Sequence, residues 1–298
     1  MSPKTNNFQK THSIQSWLNL FFAVFIVACI FVAIVMNLLK APTELVEEVG
    51  IKTFRMYTVL SNMFVGITIS MTIPFAVDGI RHRNYHLPRW VVNLIFVSTT
   101  CITLTFIISC TLLSAFAGFK EIMLTGTNLF LHTIVPIITI VGFLFVNTYH
   151  TVKFKATLYA LIPISIYAII YLISAIFIGQ ENGGWRDHYH FNEVIPWYYV
   201  FVLVFALAFG LSNLLRYVHN RMHRRDKANT IDFYQNAPEY DLPTIEEAIT
   251  KIAKEDKNHD AGGEMIVPRR IILILEQKYQ SKKPLSELCQ VYINEYLA

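Results

Sequence analysis

The residues of this chain best suited to chemistry are a histidine and a threonine. His132 stands inside a long apolar run, in Asn128-Leu129-Phe130-Leu131-His132-Thr133-Ile134-Val135-Pro136. Hydrocarbon offers no water to solvate an imidazole. A titratable group there faces a protein interior or a wet cavity and is a functional-site candidate. Thr58 lies in a second apolar run, in Tyr57-Thr58-Val59-Leu60-Ser61-Asn62. A threonine hydroxyl is a weak nucleophile until a neighbouring base takes its proton. Ser61 and Asn62 follow Thr58 by three and four residues, and Asn128 precedes His132 by four, so each set shares a helix face. Asn128, Ser61 or Asn62 would then orient the imidazole or donate to a developing oxyanion. Such a site calls for no metal and no cofactor, and it suits a membrane lipid or fatty-acyl ester as substrate. The same residue types are also ordinary hydrogen-bond partners between membrane helices, worth about 0.6 kcal/mol each on average.

These side chains need elements to hold them. Of the 298 residues, 54% are hydrophobic and only 15% are charged, whereas soluble domains run near 25% charged. A bilayer core of about 30 Å takes roughly 20 apolar residues in helical form. Six stretches meet that need: residues 17–39, 54–77, 90–113, 128–146, 157–178 and 197–215. The first is too long and too evenly apolar for a cleaved signal peptide, and it reads as an anchor. Twelve basic residues fall on the side of the N-terminal arm, among them Arg81, Lys153 and Arg221, against five on the other. Both termini are therefore expected in the cytoplasm, in a multipass protein of the cell membrane. The net charge of +4 needs no nucleic acid to explain it, since juxtamembrane basic residues favour anionic headgroups.

The fold class expected is all-α: a bundle of six transmembrane helices over residues 1–227, with a small cytoplasmic helical tail over 228–298. Capping-box spacing at Thr244-Ile245-Glu246-Glu247 opens the first tail helix, and the tail is a candidate dock for a cytosolic protein. In the expected orientation, spans two and four both descend from the outer face. His132 lies about four residues into its span, roughly 6 Å down at 1.5 Å per residue, and Thr58 lies at a comparable depth. The pair would meet near the outer leaflet.

The loop before span six contains Gly183-Gly184-Trp185-Arg186-Asp187-His188-Tyr189-His190 and is placed to cover the mouth of the bundle. Trp185, Arg186, His188 and His190 are its candidate lid or headgroup contacts. His188 and His190 are also two potential metal ligands, but zinc takes three or four. Ser98, Thr99, Thr100, Thr103 and Thr105 make span three hydroxyl-rich. That stripe either lines a conduction path or, more simply, packs helices and bonds back to its own carbonyls.

The pattern Thr58, then Asn128-x-x-x-His132 followed by Thr133-x-x-Pro136, resembles the androgen-induced-gene family of multipass membrane hydrolases. It is closer to that family's bacterial six-span relatives, whose second span reads Phe/Tyr-Thr-x-x-Ser-Asn. The span holding Tyr167 and Tyr171 and the Gly/Trp-rich loop after it fit the same layout. The resemblance covers residues 15–220 and not the tail. It implies Thr58 as nucleophile and His132 as base in hydrolysis of fatty acid esters of hydroxy fatty acids. It departs at Ser61, where the animal enzymes carry an acidic residue. The function expected is an intramembrane, metal-independent lipid-ester hydrolase. The alternative is a non-catalytic membrane protein, either a transporter or a partner-binding subunit.

Overall fold

The computed structural model describes residues 3–40, 49–82, 87–148, 150–187, 189 and 196–235. Helix is the only regular structure among them, and the protein is all-α. Six helices are long and apolar enough to cross a bilayer: Ile14–Leu39, Tyr57–Arg81, Arg89–Ala117, Gly126–Val146, Phe154–Ile178 and Trp197–Arg224. This is the pattern of a multipass membrane protein. The tail helices expected beyond residue 243 lie outside the described residues, as do His188 and His190.

The spans depart from the apolar runs in informative ways. Span two begins at Tyr57, because residues Gly50–Arg55 form a 3-10 turn and Met56 is extended (φ −85°, ψ 129°). Thr58 is therefore in the first helical turn, not one turn down. Span four is wider than an α-helix over Leu129–Ile134, where it takes the π form. Pro136 supplies the reason: it has no N–H to give to the His132 carbonyl four residues back, so the chain adopts the longer spacing there. The last helix continues from Trp197 to Gln235, straight through the junction expected at residue 227.

The chain divides into two compact units. One comprises Met1–Leu20, Thr72–Pro88 and Met222–Ala298. The other comprises Phe21–Met71 and Arg89–Arg221, and it contains every residue of the site described below. In this larger unit span three is the central element. Some 72% of its most apolar stretch is buried, against 17% to 44% for the other five spans. Lipid tails are as apolar as leucine, so burial alone does not hold such helices together; close packing and hydrogen bonds do. Span three supplies both. Its Ser98 hydroxyl meets Thr68 at 2.7 Å and its Thr105 hydroxyl meets Ser61 at 2.8 Å, two ties to span two. Thr100, Thr103 and Thr105 also bond to carbonyls of their own helix at 2.6–3.3 Å. The hydroxyl-rich stripe thus packs the bundle.

Two apolar clusters flank the start of span two. Ala33, Val59 and Leu131 join spans one, two and four. Cys101, Leu104, Ile164 and Ala208 join spans three, five and six, with Tyr57 packed against them. Successive helical residues point about 100° apart. Tyr57 therefore anchors one cluster and Val59 the other, and Thr58 is held at the seam between them.

Candidate active site

The Thr58 hydroxyl lies 3.2 Å from His132 Nε2, and both residues are buried. The other ring nitrogen, Nδ1, is 2.7 Å from the carbonyl oxygen of Ile122. A carbonyl only accepts, so Nδ1 carries the proton. In the neutral ring Nε2 then presents its lone pair to Thr58, whose O–H donates to it. This is the tautomer a general base needs, fixed by the partner of the far nitrogen.

The seat of the imidazole is a short turn, Lys120–Leu124, in the connection before span four. A turn this short cannot satisfy its own carbonyls internally. Four consecutive ones are capped by side chains from the start of span four. The Lys120 carbonyl accepts from Thr125 at 3.0 Å, Glu121 from Asn128 at 3.1 Å, Ile122 from His132 and Met123 from Thr133 at 2.6 Å. The structure therefore puts Asn128 on the same rim as His132, one carbonyl earlier, where it holds the turn that carries the ring.

Ser61 and Asn62 lie beneath Thr58. Ser61 bonds to the Thr58 carbonyl at 3.0 Å and to Thr105. Asn62 is fully buried and donates both amide hydrogens to backbone: to the Thr58 carbonyl at 2.7 Å and the Leu131 carbonyl at 3.0 Å. It thereby ties Thr58 to the neighbour of His132, across two spans. Its Oδ1 is buried with no partner among the described residues.

Thr58 also lines a cavity enclosing about 630 Å³ of space free of protein atoms, part of it open to the exterior. Leu104, Ile108, Ile164, Val204 and Phe205 give it walls from spans three, five and six, while Tyr57, Tyr167, Tyr171 and Tyr189 sit with Thr58 on its lining. The loop after span five supplies Tyr189. Gly179 ends the span at φ +69°, and the chain folds back so that the Trp185 N–H reaches the Ser174 carbonyl at 2.8 Å. Trp185 carries the Arg55 guanidinium 5.7 Å from its ring centroid and packs edge-on to Tyr171 at 6.4 Å. Arg186 is exposed on the same loop.

The Ile122 carbonyl and the four tyrosines were not selected from the sequence. A backbone carbonyl has no residue-type signature. Tyr189 lies between His188 and His190, Tyr167 and Tyr171 figure in the sequence only as part of the family layout, and Tyr57 directly precedes Thr58. No group of three or more His, Cys, Asp or Glu able to hold a metal occurs among the described residues. Cys29, Cys101 and Cys110 are free thiols. No known family, no curated protein and no solved structure matches this chain.

Proposed function

We propose that this protein is an intramembrane lipid-ester hydrolase, with Thr58 as nucleophile and His132 as general base and then acid. The observation that carries the reading is the Thr58–His132–Ile122 relay, at 3.2 Å and 2.7 Å, whose Thr58 end lines an apolar cavity. Base and nucleophile are within the reach that proton transfer requires. As Thr58 Oγ1 bonds to the ester carbon its proton passes to Nε2; that proton then leaves with the alcohol. Water, activated by the same imidazole, hydrolyses the acyl-threonine. An apolar cavity with polar groups gathered near Thr58 suits one fatty-acyl chain with its ester at the hydroxyl. The resemblance to the androgen-induced-gene family points to the same chemistry. With both termini in the cytoplasm, as the basic residues favour, the site opens near the outer leaflet.

Labelling of purified protein by a fluorophosphonate, which traps activated hydroxyl nucleophiles, tests the reading. Wild type is labelled and Thr58→Ala is not. Undiminished labelling of Thr58→Ala would remove Thr58 from the role. Solute flux in proteoliposomes that is indifferent to Thr58→Ala and His132→Ala would favour a transporter instead.

A further inference from the structure

Thr58 and His132 account for the proton transfers, but not for the negative charge that develops on the carbonyl oxygen. Asn62, Asn128 and Ser61, the polar residues near the pair in sequence, are turned to other partners, while the Tyr57 hydroxyl is buried on the side of Cys101. Asn62 gives both amide hydrogens to carbonyls, Asn128 donates to Glu121, and Ser61 is paired with Thr105. On the cavity wall, the Tyr171 proton goes to Asp187 at 2.6 Å and the Tyr167 proton to the Arg55 carbonyl at 2.9 Å.

Tyr189 is differently placed. Its phenol oxygen accepts the Tyr57 N–H at 2.9 Å. Val59 and Leu60 donate to the Met56 carbonyl, so Tyr57 and Thr58 are the first-turn positions whose N–H groups the helix cannot satisfy. The phenol therefore rests at the positive end of a helix dipole. The Tyr189 backbone N–H is pinned by the Tyr171 hydroxyl at 3.2 Å, and the two rings pack at 5.3 Å. Burial pushes the Tyr189 phenol above the usual tyrosine value, so it keeps its proton at neutral pH. The N–H donating to its oxygen polarises the O–H and strengthens it as a donor.

We propose that Tyr189, which shares the cavity lining with Thr58, is the oxyanion-stabilising catalytic residue of this site, its O–H donating to the carbonyl oxygen of the ester that Thr58 attacks. The assignment rests on the hydrolase reading above. As the Thr58 oxygen–carbon bond forms, the carbonyl π pair moves onto oxygen. Tyr189 donates a hydrogen bond to that oxygen without releasing its proton. When the pair returns, the carbon–alcohol bond breaks, and the alcohol takes its proton from His132. A charge-assisted bond to an oxyanion is roughly twice as strong as one between neutral groups.

The test uses purified full-length protein in detergent micelles with p-nitrophenyl octanoate as substrate and an octyl trifluoromethyl ketone as inhibitor. The ketone adds to Thr58 and places an oxyanion at the site. Tyr189→Phe is expected to lower kcat about 100- to 1,000-fold, to leave KM within about threefold, and to weaken the ketone by a factor similar to that on kcat. Tyr199→Phe, on an exposed aromatic at the start of span six, keeps wild-type values. Should Tyr189→Phe not fold, 3,5-difluorotyrosine at position 189 keeps the ring and oxygen but acidifies the O–H. It is expected to move the alkaline limb of kcat to lower pH. A Tyr189→Phe enzyme with wild-type kcat, one that loses kcat but not ketone affinity, or an unmoved alkaline limb in the fluorinated enzyme would each overturn the assignment. Failure of the hydrolase reading looks different: wild type then neither turns over the ester nor takes up fluorophosphonate at Thr58, and the Tyr189 role falls with it.

Discussion

A hydroxyl, an imidazole and a backbone carbonyl in line form the unit on which this protein's chemistry would turn. Groups that act as a unit are not additive, so removing either side chain should cost nearly as much as removing both. Thr58→Ala and His132→Ala are each expected to lower ester turnover by about 1,000-fold or more, with the double variant little worse, as measured by kcat with p-nitrophenyl octanoate. Thr58→Ser keeps the hydroxyl and should retain both labelling and turnover. Asn62 is a different case, because its amide touches backbone and not the reacting atoms. Asn62→Ala should lower stability by about 1–3 kcal/mol by leaving two buried carbonyls short of a donor. Its effect on kcat should then follow from displacement of Thr58 relative to His132. Wild-type stability in Asn62→Ala, read by thermal unfolding in micelles, would show that the two bonds contribute nothing.

The elements explain why two small side chains from distant parts of the chain meet. The 3-10 turn of Gly50–Arg55 delays the start of span two, so Thr58 falls in its first turn beside Tyr189. Pro136 widens span four around His132, and the turn at 120–124 offers the ring a carbonyl to hold. Pro136→Ala restores the missing N–H and favours a regular α-helix, which rotates His132 away from its seat. A displacement of about 1 Å costs on the order of 100-fold in rate. Pro136→Ala should therefore retain the fold, by its thermal transition, while kcat drops by roughly that factor. Gly184 matters for a separate reason, the close approach of backbones. A Cβ there would lie 2.7 Å from the Gly179 carbonyl oxygen and closer still to that of Ser174. Gly184→Ala is expected to break the Trp185–Ser174 link and unseat the loop that carries Tyr189. The readouts are a lower unfolding midpoint and faster proteolysis in that loop; unchanged values of both would show that the approach is relaxed easily.

At the scale of the molecule, the site belongs entirely to the unit made of Phe21–Met71 and Arg89–Arg221. Ending the chain after Gln235 should therefore leave turnover per molecule unchanged, within about twofold by titration of active sites with fluorophosphonate. A large loss would mean that the segment beyond takes part in the reaction. The basic residues predict both termini on one face of the membrane and the Thr58 cavity toward the other. Single cysteines introduced near residues 5 and 230 should be modified by a membrane-impermeant maleimide only from the cytoplasmic side, and one at exposed Arg186 only from outside. Labelling of Arg186→Cys from the cytoplasm would invert the topology.

The sequence by itself determined the class. An apolar content of 54% and six runs of bilayer length leave an all-α membrane protein as the physical solution, because only intra-segment hydrogen bonds satisfy a backbone in hydrocarbon. It also singled out His132, since an ionisable side chain inside an apolar run is costly and therefore conspicuous, and depth together with the family resemblance pointed to Thr58. The two side chains lie 3.2 Å apart even though span two begins later than its apolar run. The tertiary structure alone decided what surrounds them. The partner of His132 Nδ1 is a backbone carbonyl, which carries no residue signature, and Asn128 went to the neighbouring carbonyl because a short turn leaves several unsatisfied at once. Tyr189 reached the first turn of span two across 132 residues of sequence, a contact that no local spacing encodes.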